Sequence, residues 1–309
     1  MSIQPLPKGL WPVMLTAFNK NGSISWSGVE ALTEWYISRG STGLFACCGS
    51  SEMFKLTDSE RLDLTRCVVN QADGRVPVVS TGTFGGSIDD QASFVRRMAD
   101  TGVQAVVIIV SLMARKNEEE ETLKKTMDQL LELTDPIPLG IYECPTPYHR
   151  ILSPELFGYL GNTGRFLYHK DTVCDIDLLR LKINSVRDTN LGVYNAHFET
   201  TLEGLRAGAA GISPVAANIF PELFSWLCSE FQNQSEQAEE VQRMMTSLAP
   251  IVSNKYLLTC KRYLQRIGLP ITTYCRSTDA VLTSFDEGLI DGLEASIKQF
   301  STILELGKP

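Results

Sequence analysis

Eight short apolar runs, each followed by a segment of helical spacing, constrain this chain more than any other feature. In chain order the first four are L-W-P-V-M-L-T-A-F from Leu10, T-G-L-F-A-C-C from Thr42, V-P-V-V-S-T-G-T-F from Val76 and A-V-V-I-I-V-S-L from Ala105. The next four are P-L-G-I-Y-E-C from Pro138, R-F-L-Y-H-K-D from Arg165, L-G-V-Y-N-A-H from Leu191 and A-A-G-I-S-P-V from Ala209. Runs so continuously apolar suit strands covered on both faces, as in a parallel sheet. The segments between them carry helix-start chemistry. Ser25, Thr57 with Glu60 three residues on, Ser87 and Ser153-Pro154-Glu155 each supply a side chain for an exposed first-turn N–H. Gly40, Gly102 and Gly208 stand where a left-handed residue ends a helix.

Eight strand–helix units in about the first 215 residues match the unit count of a (β/α)8 barrel, the TIM barrel of the α/β class. The other arrangement is an open doubly wound sheet. Its G-x-G-x-x-G turn is missing after the first run, where the sequence reads N-K-N-G-S. From Pro221 onward the strand signal stops. Apolar residues recur at helical spacing through F-S-W-L-C, V-Q-R-M-M-T-S-L, Y-L-L-T-C-K-R-Y-L and L-E-A-S-I-K-Q-F. The expected organisation is a barrel over residues 1–220 and an all-helical extension over 221–309. The E-E-E-E run from Glu118 predicts the first turn of a solvated helix, where carboxylates meet the positive end of the dipole.

Composition narrows the function. A formal charge of −8 disfavours a polyanionic partner, so no nucleic acid is expected. No apolar run reaches membrane-spanning length, and M-S-I-Q-P-L-P-K-G lacks the charged and apolar regions of a signal peptide. Eight cysteines without C-x-x-C spacing read as reduced thiols in a cytoplasmic protein. With only three histidines there is no histidine-rich metal tract, and neither metal nor cofactor is expected.

In a barrel the working residues lie at the C-terminal ends of strands and in the loops after them. Lys170 ends the sixth run. There it either pairs with Asp171 or, desolvated in the barrel mouth, becomes a neutral amine able to attack a carbonyl. Spacing alone leaves both open. Tyr142 ends the neighbouring fifth run, as a rim aromatic or as a proton shuttle. Gly49-Ser50-Ser51 after the second run forms a tight turn whose N–H groups and hydroxyls suit a carboxylate. Gly82, Gly85 and Gly86 give clearance. His169 and His197 are either acid–base groups or satisfied structural histidines. Cys47 and Cys48 read as small packing residues.

These motifs come in a fixed order: G-S-S-E after strand two, Y-x-x-P after strand five, K-D after strand six and G-I-S-P-V-A-A-N at strand eight. Together they resemble the dihydrodipicolinate synthase / N-acetylneuraminate lyase family of class I aldolases. The likeness runs from G-L-W-P-V-M-L-T-A-F to G-L-P-I-T-T-Y-C-R, which ends at Arg276. It implies that Lys170 is the Schiff-base lysine and Tyr142 the proton-relay tyrosine. C-G-S-S-E (48–52) resembles the family's carboxylate-binding G-T-T-G-E. Ungapped, Ser50 falls on the carboxylate-binding threonine and Gly49 on the relay threonine; with a one-residue deletion, Ser50 and Ser51 keep both hydroxyls. The resemblance implies a small 2-oxo acid as substrate and a homo-oligomer, a tetramer or dimer.

The departures bear on the substrate. Leu112 and Met113 stand where dihydrodipicolinate synthases carry a tyrosine pair, and Pro147 where they carry an arginine, with Arg150 as a displaced substitute. His197 and Phe198 replace the G-x-D-E carboxylates of N-acetylneuraminate lyases. The expected function is a Schiff-base lyase, aldolase or dehydratase, acting on pyruvate or a 2-keto-3-deoxy sugar-type acid. Glu143, His197, Ser213 and the Leu112–Met113 loop are expected to wall its second half. The alternatives are a 4-hydroxy-tetrahydrodipicolinate synthase and a non-catalytic paralogue that binds a 2-oxo acid.

Overall fold

Seven of the eight apolar runs contain a strand in the computed structural model, which describes residues 4–304, and the first run begins on the last residue of one. Residues 1–3 of the N-terminal stretch and 305–309 of the expected extension lie outside the described residues. The strands are β1 (Gly9–Leu10), β2 (Leu44–Phe45), β3 (Val78–Thr81), β4 (Ala105–Ile109), β5 (Leu139–Tyr142), β6 (Phe166–Asp171), β7 (Gly192–Asn195) and β8 (Gly211–Ile212). Every neighbour in the order β1-β8-β7-β6-β5-β4-β3-β2 is parallel. The two ends meet. Val13 bridges Phe45 in parallel, and the Met14 N–H donates to the Phe45 carbonyl at 3.0 Å. The sheet therefore closes into a (β/α)8 barrel, which leaves no free edge.

The ring of helices begins with α1 (Trp26–Ser38), α2 (Asp58–Ala72), α3 (Ile88–Ala99) and α4 (Glu120–Leu133). It continues with α5 (Pro154–Asn162), α6 (Ile176–Ser185) and α7 (Thr201–Arg206). Ser25, Thr57, Ser87 and Ser153 cap their helices, and reciprocal capping boxes form at Thr57–Glu60 and Ser87–Asp90. Gly40, Gly102 and Gly208 adopt φ of +84°, +93° and +100°, so each turns the chain with a conformation that a Cβ would strain. The glutamate run is split. Helix α4 starts at Glu120 with Glu119 as its N-cap, and Glu118 instead accepts the Arg115 N–H in the preceding loop.

Beyond residue 220 the chain is helical: α8 (Pro221–Glu230), α9 (Ser235–Ser253), α10 (Tyr256–Arg266) and α11 (Ser284–Ile303). Helix α8 packs on β1 and β8 and completes the ring of eight. Helix α9 lies against α7 and α8, and α10 and α11 pack on it.

Strand alternation sorts the side chains. Trp11, Tyr168 and Tyr194 fill the barrel interior, with Tyr168 stacked on Tyr194 at 4.8 Å and 5.2 Å from Trp11. On β6, Tyr168 and Lys170 face inward, while His169 and Asp171 face the outer helices. This alternation decides which residues share the site.

Candidate active site

Register places the two principal residues side by side. Tyr142 on β5 pairs with Lys170 on β6, and the Lys170 Nζ lies 4.6 Å from the centroid of the Tyr142 ring. Both are buried at the mouth. Lys170 retains 5% exposure, and this burial lowers its pKa below the ordinary lysine range, although Cys48, Cys144 and Asp171 pull the other way. The same burial raises the Tyr142 phenol well above its usual value, so it is a protonated donor. The direct ion pair between Lys170 and Asp171 does not form. The Asp171 carboxylate points outward and takes the Lys182 ammonium at 2.9 Å instead.

Above Lys170 lies a cavity of about 210 Å³ lined by Val13, Gly49, Ser50, Tyr142, Lys170, Val215, Tyr256 and Leu257. It brings together Lys170, Tyr142, Gly49 and Ser50 of the expected residues. Gly49 is its open side: a Cβ there would lie 3.4 Å from the Tyr142 hydroxyl, an ordinary contact. Ser51 is turned away. Its hydroxyl accepts the Cys48 N–H at 2.6 Å and donates to the Cys48 carbonyl at 2.8 Å, so it knits its own turn. Glu52 holds that turn from behind, accepting from Lys261 at 3.0 Å and from the Arg276 and Ser277 N–H groups at 2.6 and 2.7 Å.

Other expected wall residues lie elsewhere. Ser213 is buried in the barrel interior, accepting from the Tyr168 hydroxyl at 2.7 Å and donating to the Trp11 carbonyl at 2.8 Å. His197 sits at the rim with its Nε2 2.6 Å from the Cys174 sulfur. Glu143 is fully buried behind the sheet, because it follows Tyr142 and alternation turns it outward. There Lys182 donates to it at 2.6 Å and to Asp171 at 2.9 Å, with His169 at 3.5 Å from the Glu143 carboxylate. Burial disfavours ionised Glu143, but His169 and Lys182 outweigh it and hold the carboxyl well below its usual range. Glu143, His169 and Asp171 are spaced for a metal, but the Lys182 ammonium already supplies the positive charge between two of them. Arg150 donates to the Arg115 and Glu118 carbonyls and is not a cavity residue.

The sequence pattern did not reveal Tyr256, Leu257 and Asn218. Tyr256 and Leu257 open α10, whose apolar spacing reads only as packing. Asn218 ends the G-I-S-P-V-A-A-N motif and bonds the Tyr256 hydroxyl at 2.7 Å.

A closed parallel barrel with a desolvated lysine beside a phenol at the C-terminal ends of its strands defines the class of Schiff-base barrel proteins. The model of the dihydrodipicolinate synthetase family matches residues 6–298, and the chain belongs to that family. It is 26% identical over 252 residues to a 4-hydroxy-tetrahydrodipicolinate synthase of Methanothrix thermoacetophila, covering 82% of this chain and 83% of the relative. Its fold matches YagE, an E. coli K12 prophage protein of the dihydrodipicolinic acid synthase family solved with pyruvate. The TM-score is 0.84 at 20% identity, over 94% of this chain and 98% of that one. A Clostridium difficile protein, CdNal, solved with mannosamine, superposes with a TM-score of 0.83 at 19% identity, over 94% and 99% of the two chains. No helix among the described residues is long and apolar enough to cross a membrane.

Proposed function

We propose that the protein is a class I lyase that joins a 2-oxo acid, pyruvate or a pyruvate-derived sugar acid, to Lys170 as an imine. The observation that carries this reading is the buried Lys170 amine beside the Tyr142 phenol at the floor of a small cavity. Neutral Nζ attacks the C2 carbonyl carbon. Tyr142 protonates the leaving hydroxyl, water departs, and a protonated imine forms. The bond between C3 and its substituent then breaks with its electron pair passing into the imine, leaving an enamine. A proton returned to C3 and hydrolysis of the imine release the product and the free lysine. Loss of an aldehyde breaks C3–C4 in this way; loss of water instead removes a C3 proton to give the enamine, whose electrons then expel the C4 hydroxyl as water.

Ser50 and the N–H groups of its turn hold the carboxylate in this reading, and Gly49 leaves room beside Tyr142. A reaction confined to 4-hydroxy-tetrahydrodipicolinate synthesis draws support from the curated relative's name, but the cavity lacks an arginine among its lining residues. We further place the protein in the cytoplasm, supported by eight free cysteines, and as a dimer or tetramer, on the family resemblance. The two-part division into barrel and helical extension is likewise our proposal, with α8 belonging to the barrel by its packing.

The test is incubation with pyruvate, reduction with borohydride and mapping of the adduct by mass spectrometry. A modification on Lys170 is expected. No adduct, or one on another lysine, overturns the reading.

A further inference from the structure

We infer that Tyr36, Asn218, Tyr256 and Ser50 form a one-way hydrogen-bond string that commits the Ser50 hydroxyl to donating into the Lys170 cavity. Tyr256 and Asn218 are then positioning residues for an acceptor-only group such as a carboxylate. The inference rests on the 2-oxo acid reading of the cavity and assigns the C-terminal extension a part in recognition.

The direction of the string follows from donor and acceptor chemistry. Asn218 is fully buried, and its Nδ2 faces the Val13 and Val215 carbonyls at 3.0 and 2.9 Å. Carbonyls only accept, so the amide nitrogen must lie on that side and the amide oxygen on the other. The oxygen accepts from the buried Tyr36 hydroxyl. The nitrogen also faces the Tyr256 oxygen at 2.7 Å, so its two hydrogens are shared among three acceptors. Because Nδ2 cannot accept, the Tyr256 proton must go elsewhere. The Ser50 oxygen lies 2.9 Å away, whereas the Val215 carbonyl lies at 3.4 Å. Burial raises the Tyr256 phenol well above its ordinary pKa, which keeps that proton in place.

Ser50 thus accepts a hydrogen bond on its oxygen, and its own O–H remains free to donate. Among the described residues its oxygen has no hydrogen-bond partner besides Tyr256, and Ser50 lines the cavity with 6% exposure. A buried donor without an acceptor is costly, so the cavity favours a ligand that brings one. A carboxylate brings two oxygens that only accept, and the bond to it is charge-assisted. Tyr256 reaches this position because α10 begins at the barrel mouth.

The experiment measures the pyruvate concentration that half-saturates adduct formation on Lys170 in the wild type, Y256F, S50A and the double variant. Y256F is expected to raise it about tenfold, the order for weakening one hydrogen bond to a charged group. In the S50A background Y256F should change nothing further, because the string has lost its last member. A packing role for Tyr256 would instead give the same loss in both backgrounds. An unchanged half-saturation in Y256F, or fully additive effects, overturns the string. If the wild type forms no adduct, the imine reading fails by itself. The string is then read from calorimetric pyruvate binding to the same four proteins, where the same coupling supports it and its absence overturns it.

Discussion

The Lys170 Nζ lies 4.6 Å from the centroid of the Tyr142 ring, across one rung of the β5–β6 ladder. Parallel pairing sets this neighbourhood, and burial at the mouth favours the neutral amine and keeps the phenol protonated.

Replacing Lys170 with Met keeps the length and apolar bulk of the side chain and removes the amine. The K170M protein should keep its thermal midpoint within a few degrees and form no reducible pyruvate adduct, as mass spectrometry of the intact chain will show. Y142F should retain the fold and lose about 10²–10³ in turnover, the range for a positioned acid–base group. A Y142F enzyme with wild-type kcat would remove the phenol from the mechanism.

The pH dependence of imine formation follows from the direction of the Lys170 shift. Desolvation lowers its pKa, so raising the pH frees the neutral amine earlier than for an exposed lysine, whose pKa is about 10.4. The initial rate of adduct formation under cyanoborohydride should rise with pH to a midpoint below that value. A midpoint at or above it would contradict the burial argument.

Gly49 leaves space that a hydroxyl can use. Its φ lies outside the left-handed region, and a Cβ there meets only the Tyr142 hydroxyl at 3.4 Å. G49S should therefore leave stability within about 0.5 kcal/mol, as expected away from strained or packed positions. It should also give Tyr142 a hydrogen-bond partner and raise kcat. Steady-state kinetics and denaturant melts check both halves, and a lower kcat would show that the open space serves the substrate.

Behind the sheet, Lys182 bridges Glu143 and Asp171 at 2.6 and 2.9 Å with all three buried. K182M removes the cation and strands two carboxylates, so it should cost about 3–5 kcal/mol in urea unfolding. The sign with pH is set by Glu143. Its folded pKa is depressed, so the folded state binds fewer protons than the unfolded chain, and the stabilisation is present above the ordinary carboxylate pKa of about 4.3. It is lost as pH falls below that value through the folded pKa. Wild-type stability should therefore drop more steeply below pH ~4.3 than that of K182M.

The barrel was written in local chemistry. Eight continuous apolar runs, four capping side chains and three left-handed glycines each act over a few residues, so period and composition display them directly. The pairing of Lys170 with Tyr142 was equally legible, since neighbouring strands of a parallel barrel put consecutive strand ends side by side. The rest depended on three dimensions. Alternation in the folded strands turned Glu143 outward to Lys182, 39 residues on. The hydroxyl of Ser213 was spent on Tyr168 and Trp11 inside the barrel. Tyr256 came to Ser50 from 206 residues away, carried by a helix whose sequence shows only an apolar face. Such contacts depend on how whole helices pack, and packing leaves no short-range pattern in the chain. Sequence thus determined the barrel and its lysine, while tertiary packing alone decided which side chains surround that lysine.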